Sequence, residues 1–77
     1  MYGIIKDGVM YDIDDIEFEK DFVCNEDAPY YGQVFRLCIF IRKGKTVFNH
    51  LIHKRYLKEM VKDKGYINLD EHDAIWG

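Results

Sequence analysis

The chain has 77 residues, of which 48% are hydrophobic and 32% charged, and its formal net charge is −3. A chain of this size builds one small core, and so much apolar content with so little net charge excludes an intrinsically disordered chain. No apolar run is long enough to cross a membrane and the start shows no secretion signal, so we expect a single cytoplasmic domain over residues 1–77.

The start of the chain predicts a β-hairpin. Asp7 and Gly8 separate two apolar runs. An Asp-Gly pair in this setting is a strong hairpin signal, so we expect strands near residues 2–5 and 9–13.

The segment after this hairpin alternates with period two. Ile16, Phe18 and Phe22 fall on even positions, which indicates a third strand rather than a helix. Apolar residues occupy odd positions before Asp14 and even positions after Asp15. A bulge or a tight turn is therefore predicted between those two residues.

The second half of the chain predicts a central strand and one main helix. Residues 25–32 form a loop because they hold the only proline, and residues 34–41 are apolar on both sides, which is typical of a central strand. Asn49 is a favourable N-cap, so we expect a helix over about residues 50–64 that ends at Gly65. The remaining elements are a turn at residues 43–45, a short strand at 46–48, a last strand at 66–69 and a tail at 70–77.

Together these elements indicate an α+β fold. We expect a small two-layer domain in which the main helix packs on an antiparallel sheet of about four to six strands. A single helix covers only one face of such a sheet. The other face must then be polar or meet another molecule, and a homo-oligomer is one way to meet that requirement.

The charges divide the chain into opposed parts. Residues 1–30 hold two lysines and nine carboxylates, a net charge of −7, whereas residues 31–65 hold nine basic and two acidic residues, a net charge of +7. Residues 66–77 add three carboxylates. One interpretation is that the two parts are solvated faces that partly neutralise each other, with little energy in each exposed pair.

The acidic part also predicts a binding surface for a basic surface on another protein. Glu17, Glu19 and Asp21 are spaced by two residues, about 6.6 Å along a strand, so we expect their carboxylates on one side. Such a row can occupy a groove that otherwise binds phosphates, and nearby tyrosines add contact area at low entropy cost. The residues expected to bind the partner are Asp12, Asp14, Asp15, Glu17, Glu19, Asp21, Glu26, Asp27, Tyr30 and Tyr31.

The basic helix supports an alternative function, which is nucleic-acid or nucleotide binding. Its phosphate contacts would be Lys54, Arg55, Lys58 and Lys62. The net charge of −3 disfavours this hypothesis, because neighbouring carboxylates repel a polyanion.

The histidines support a second alternative, a histidine- or metal-dependent nuclease. His50 and His53 would lie on one side of a helix, and Glu59 or Asp70 would be the carboxylate beside one of them. With His72, the chain has three imidazoles for a metal, and the neighbouring carboxylates of Asp70, Glu71 and Asp73 are candidates for the other ligands. No His-Glu-x-x-His motif and no Cys-x-x-Cys pair accompanies them, so we expect no metal and no other cofactor.

Nucleophilic catalysis has little support in the sequence. The chain contains no serine. Cys38 lies in an apolar run and is expected in the core, and Cys24 precedes an acidic loop that would raise the pKa of its thiol. We therefore expect a non-enzymatic protein.

The leading hypothesis is a small protein-interaction domain. By type alone, with no family motif behind it, the chain resembles short, acidic, tyrosine-rich accessory proteins of bacteriophages that bind and block a host factor. That analogy implies an inhibitor that binds the basic surface of a nucleic-acid-handling protein through the acidic strand and loop. A membrane partner is not expected.

Overall fold

The computed structural model describes residues 2–25, 31–62 and 66–76. Within them the elements are β1 (Tyr2–Lys6), β2 (Val9–Ile13), β3 (Asp15–Val23), β4 (Val34–Arg42), β5 (Lys45–His53), α1 (Lys54–Lys62), β6 (Tyr66–Asn68) and α2 (Leu69–Trp76). The α+β class is confirmed. The predicted single antiparallel sheet with one main helix is wrong, because the described residues form two three-stranded sheets and two helices.

The two sheets have different topologies. The first has the strand order β2-β1-β6, in which β1 and β2 are antiparallel and β1 and β6 are parallel. The second is an antiparallel meander in the order β3-β4-β5. The predicted hairpin is confirmed, and Asp7 and Gly8 between β1 and β2 have φ values of 53° and 76°, as its favoured turn requires.

The predicted irregularity at Asp14 is confirmed, and it is the passage from one sheet to the other. The chain leaves β2 at Ile13 and enters β3 at Asp15, with a bend between them. The Asp14 N–H donates to the carbonyl of Ile41 at 2.9 Å. The apolar parity changes here because each sheet places its own set of residues toward the shared core.

The predicted helix start at Asn49 is wrong. Residues 49–53 extend β5 and pair in register with residues 35–39 of β4, which satisfies the main-chain hydrogen bonds of that central strand. Helix α1 begins only at Lys54. His53 is its N-cap, since its Nδ1 accepts the N–H of Arg55 at 3.1 Å.

The predicted tail is also wrong, because residues 69–76 form α2. The side-chain Oδ1 of Asn68 accepts the N–H of Glu71 at 3.1 Å and caps this helix. Asp70 and Glu71 stand in its first turn, where negative charge stabilises a helix. Asn-x-x-Glu is close to a capping box, so the sequence did contain a signal for this helix.

One core lies between the two sheets. Its seven residues are 0–4% exposed and come from both sheets and α2: Ile4, Ile13, Cys38, Phe40, Ile52, Ile67 and Leu69. We call the side of sheet β3-β4-β5 that carries Cys38, Phe40 and Ile52 the inner face. The opposite side, which carries Leu37, Ile39, Ile41 and Leu51, is the outer face. The first sheet, α2 and two residues of α1, Tyr56 and Leu57, therefore cover the inner face.

Candidate functional site

The acidic residues of β3 do not share one side of the strand. Glu17 pairs with Ile39 and Asp21 pairs with Arg36, with a register shift between Phe18 and Asp21. Paired residues of an antiparallel ladder point to the same face, and Ile39 and Arg36 lie on opposite faces of β4. The extra residue of this β-bulge puts Glu17 on the outer face and Asp21 on the inner face. The prediction of one row of carboxylates is therefore wrong.

Asp21 is bound within the domain. Its Oδ1 accepts a hydrogen bond from Nε of Arg36 at 2.7 Å, and its Oδ2 accepts one from Nζ of Lys54 at 3.1 Å. These hydrogen bonds, from Arg36 first and Lys54 second, lower the pKa of Asp21 below its ordinary value. One predicted partner-binding carboxylate and one predicted phosphate-binding lysine thus contact each other.

Three further carboxylates of the acidic part also have partners inside the domain. Oδ2 of Asp12 lies 3.4 Å from Nη1 of Arg42. Oδ2 of Asp14 accepts the N–H of Lys43 at 2.8 Å, and Oδ1 of Asp15 accepts the following main-chain N–H at 2.9 Å. Much of the acidic charge therefore orders local turns and edges.

Two carboxylates of β3 remain available to a partner. Glu17 and Glu19 are exposed and form no ion pair with the described residues. Tyr31 is 70% exposed in the turn that precedes β4. Glu26, Asp27 and Tyr30, the other predicted contacts of the loop, lie outside the described residues.

The basic residues of α1 are divided in a similar way. Lys54 binds Asp21, whereas Arg55 and Lys58 are exposed. The side chain of Lys62 lies outside the described part of the chain. Among the described residues, Arg55 and Lys58 are thus the two phosphate-binding candidates that form no ion pair.

The outer face is apolar and incompletely covered. Leu37, Ile39 and Ile41 are half-buried on the central strand β4, and they alternate with fully buried residues of the inner face. Leu51 on β5 is 45% exposed and Phe22 on β3 is 39% exposed. The prediction that β4 is central is correct. The fully buried residues of this strand are Cys38 and Phe40, and both lie on the inner face.

The charges around the outer face are placed unevenly. Of the residues that pair with a neighbouring strand and point to the outer face, the charged ones are Asp15 and Glu17. Both lie on the edge strand β3. At the other end of β3, Nζ of Lys20 lies 5.3 Å from the centroid of the Phe22 ring. An apolar surface with a carboxylate edge complements a surface that is apolar and basic.

The two histidines of the His-x-x-His motif lie on a strand and therefore on opposite faces. His50 is opposite Cys38 on the inner face, and His53 is opposite Phe35 on the outer face. The expectation that both rings share one side of a helix is wrong. Helix α2 brings His72 close to His50 instead, with ring centroids 5.8 Å apart.

Asp73 joins two of these histidines. Its Oδ1 lies 2.8 Å from Nε2 of His50 and 2.8 Å from Nδ1 of His72. Nε2 of His72 accepts the main-chain N–H of His53 at 3.0 Å, so we assign the proton of this ring to Nδ1, which donates to Asp73. Burial raises the pKa of Asp73, but the hydrogen bonds from His50 and His72 outweigh that effect and leave the pKa below its ordinary value.

These groups also resemble a metal-binding set, because donor atoms of His50, His72 and Asp73 lie within 4.8 Å of one another. A histidine that binds a metal through one nitrogen normally donates a hydrogen bond from the other. Nε2 of His72 instead faces a main-chain N–H, so in the tautomer that we assign Nδ1 carries the proton and has no lone pair for a metal. The arrangement fits a hydrogen-bond network better than a metal centre.

The carboxylates proposed for a nuclease are placed elsewhere. Asp70 accepts the N–H groups of Asp7 and Gly8 at 2.6 and 2.8 Å, and so ties α2 to the β1–β2 turn. Glu59 is exposed on α1. The structure pairs His50 with Asp73 instead. The sequence places Asp73 among the candidate metal ligands but does not predict it as the partner of His50, because residues 70–77 are expected to form a tail. The Asn-x-x-Glu pattern at residues 68–71 is the sequence signal for the helix that carries Asp73.

The environment of Cys38 disfavours nucleophilic attack by its thiol, despite the position of this residue opposite His50. Its side chain is fully buried, as predicted, and burial raises the pKa of the thiol to about 11. The thiolate that nucleophilic attack requires is therefore scarce at neutral pH.

None of the described helices combines the length and the apolar character that a membrane span requires.

Known proteins offer no guide to this site. Comparison with protein-family models, with curated proteins and with solved structures found no match.

Proposed function

We propose that this protein is a non-enzymatic protein-interaction domain that binds a partly apolar, basic surface of another protein. The observation that supports this proposal is the outer face, where half-buried and exposed apolar side chains lie beside Glu17. Apolar side chains left at a surface carry a free-energy cost in water that a partner removes on binding. The carboxylates select a basic partner over a neutral or acidic one.

The contact surface that we propose differs from the acidic strand and loop taken alone. Glu17 and Glu19 supply the charge, whereas Asp21 is held by Arg36 and Lys54. Two free carboxylates resemble a phosphate backbone only weakly, so apolar contacts of Leu51 and its neighbours supply most of the affinity. A nucleic-acid-handling protein remains the partner class that we propose, because its basic groove offers the complementary charge.

The test compares variants of the outer face in capture from a cell lysate. Glu17→Lys reverses the charge and Leu51→Asp disrupts the apolar centre, whereas Glu59→Lys reverses an exposed carboxylate of α1 and is the matched control. We expect wild type and the control to retain the same protein. Glu17→Lys should weaken its binding about tenfold, with less effect at high salt, and Leu51→Asp should abolish it.

Two results would contradict the proposal. One is a wild-type domain that retains no protein and remains monomeric in sedimentation. The other is a retained protein whose amount is unchanged in both outer-face variants. Circular dichroism of each variant establishes that the sheets are intact.

A second candidate function, nucleic-acid binding, has one observation in its favour, the exposure of Arg55 and Lys58 on α1. It predicts affinity for a labelled duplex that falls steeply with salt and is lost in Lys58→Glu. The interaction proposal predicts no binding to the duplex at physiological salt, so the same protein preparations separate the two candidates.

A further inference from the structure

Two neutral imidazoles hold α2 at the junction of β5 and α1. Nε2 of His72 accepts the main-chain N–H of His53 at 3.0 Å, and Nδ1 of His53 accepts that of Arg55 at 3.1 Å. The ring of Trp76, near the end of α2, stacks on His53 with centroids 3.7 Å apart and an angle of 8° between planes. Nε2 of His53 lies 2.7 Å from Oε1 of Gln33 and donates its proton there.

Each accepted hydrogen bond requires an unprotonated ring nitrogen. A neutral imidazole has one such nitrogen, whereas an imidazolium has a proton on both. After protonation, the new N–H on Nε2 of His72 faces the main-chain N–H of His53. In the same way, the new N–H on Nδ1 of His53 faces the main-chain N–H of Arg55. A main-chain N–H can only donate a hydrogen bond and cannot accept one, so each of the two contacts must open.

We infer that His53 and His72 form an acid-operated latch, which releases α2 from the β5–α1 junction when the two rings are protonated. The inference is independent of the proposed function. It rests on the two hydrogen bonds and on the stacked tryptophan. The start of α2 stays attached through contacts that involve neither imidazole: the Tyr56 hydroxyl donates to the carbonyl of Asn68 at 2.9 Å, and Asp70 binds the β1–β2 turn. The stack opens with the helix, since Trp76 belongs to α2.

The charged and titratable groups around the two rings have opposing effects. Around His72 they are Asp73 on its own helix, His50 and His53 on β5, and Tyr56 on α1, whose ring centroid is 5.1 Å away. Burial has the largest effect and lowers the pKa of His72; the hydrogen bond and charge of Asp73 raise it, His50 lowers it further, and the net pKa lies below the ordinary value.

Among the residues that the structure describes, no carboxylate contributes to the pKa of His53. Burial, the Arg55 guanidinium on α1 and His72 on α2 all lower its pKa. Both rings are therefore neutral at pH 7. Because their folded-state pKa values lie below the unfolded value of 6.5, the unfolded chain binds more protons as the pH falls past 6.5. Stability is thus fully present above pH 6.5 and is lost as the pH falls through the folded-state values.

Trp76, the only tryptophan of the chain, reports directly on the latch. Its emission maximum should shift reversibly to longer wavelength between pH 8 and pH 5, with a midpoint below 6.5, because the released indole meets water, while the far-ultraviolet dichroism of the strands persists. A fall in intensity without this shift would overturn the latch, because a protonated His53 quenches a tryptophan that remains stacked on it. Imidazole ¹⁵N shifts at pH 8 should show the proton of His53 on Nε2 and that of His72 on Nδ1. Loss of all structure at the same midpoint would overturn the latch, because acid would then unfold the whole domain.

Two substitutions replace the titrating acceptors by neutral ones. In His72→Gln the amide oxygen takes the place of Nε2, and in His53→Asn it takes the place of Nδ1. The double variant should lose the pH-dependent Trp76 signal. His50→Gln is the matched control, because His50 shares Asp73 but accepts neither of these main-chain N–H groups. It should retain the transition.

A transition that persists unchanged in the double variant would overturn the inference, and so would reversed tautomers in the ¹⁵N spectra. The spectra use the unaltered chain, so they decide the question even where a substitution prevents folding.

Discussion

The two faces of sheet β3-β4-β5 carry similar apolar residues but differ in what covers them. On adjacent residues of β5, Ile52 is fully buried against the first sheet and α2, while Leu51 is 45% exposed on the outer face. The charges differ as well, because the β3 carboxylate on the inner face has two cationic partners and Glu17 on the outer face has none among the described residues. Among the described residues, the fully buried side chains of this sheet lie on the inner face, and the outer face carries the contact surface that we propose.

The largest expected difference between the faces is in the cost of removing a side chain. Ile52→Ala leaves a cavity in the core and should lower the free energy of unfolding by about 2–5 kcal/mol. Leu51→Ala, one residue away, should lower it by about 1 kcal/mol or less, because half of that side chain is already in water. Urea unfolding of both variants measures the difference. Equal losses would mean that the outer face is covered in solution.

A smaller loss of stability is expected when the hydrogen bonds between α2 and the β1–β2 turn are removed. Asp70→Ala removes two hydrogen bonds to the β1–β2 turn and should lower the free energy of unfolding by about 1–2 kcal/mol. Glu71→Ala is the control, since it also removes a first-turn carboxylate from α2 without touching that turn. If the two variants unfold alike in urea, the tie contributes no stability.

The smallest effect is expected for the charges of β3. Asp21→Asn weakens the ion pairs with Arg36 and Lys54 and should cause a small fall in the melting temperature that disappears at 1 M salt. Glu17→Gln should leave the melting temperature unchanged at either salt concentration. A larger fall for Glu17→Gln would show that this carboxylate has a partner inside the domain.

Local signals in the sequence predicted much of the strand content. The Asp-Gly turn, the alternation of β3 and the apolar run of β4 each depend on neighbouring residues, and each of these elements is present. The start of α1 was mispredicted because Asn49 is a good N-cap locally, while the long central strand requires a partner over residues 49–53. A hydrogen-bond requirement between strands overrode a preference within one segment.

The sequence predicted the positions of the candidate functional residues less well than it predicted the strands. Glu17 and Glu19 are exposed as expected, but the bulge that separates Glu17 from Asp21 depends on the register with β4, which a single strand does not specify. The network of His50, His72 and Asp73 joins β5 to a helix that was read as a tail. Contacts between distant segments of this kind have no local signal.

Composition and short-range pattern are sufficient to predict the α+β class, the two opposed charge regions, the first hairpin and the burial of Cys38. They do not predict which apolar residues of β4 are fully buried, which carboxylates form ion pairs or which histidines contact each other. Those contacts depend on how the two sheets and the helices pack on one another, because the apolar residues on both sides of a strand favour burial and the packing selects one side.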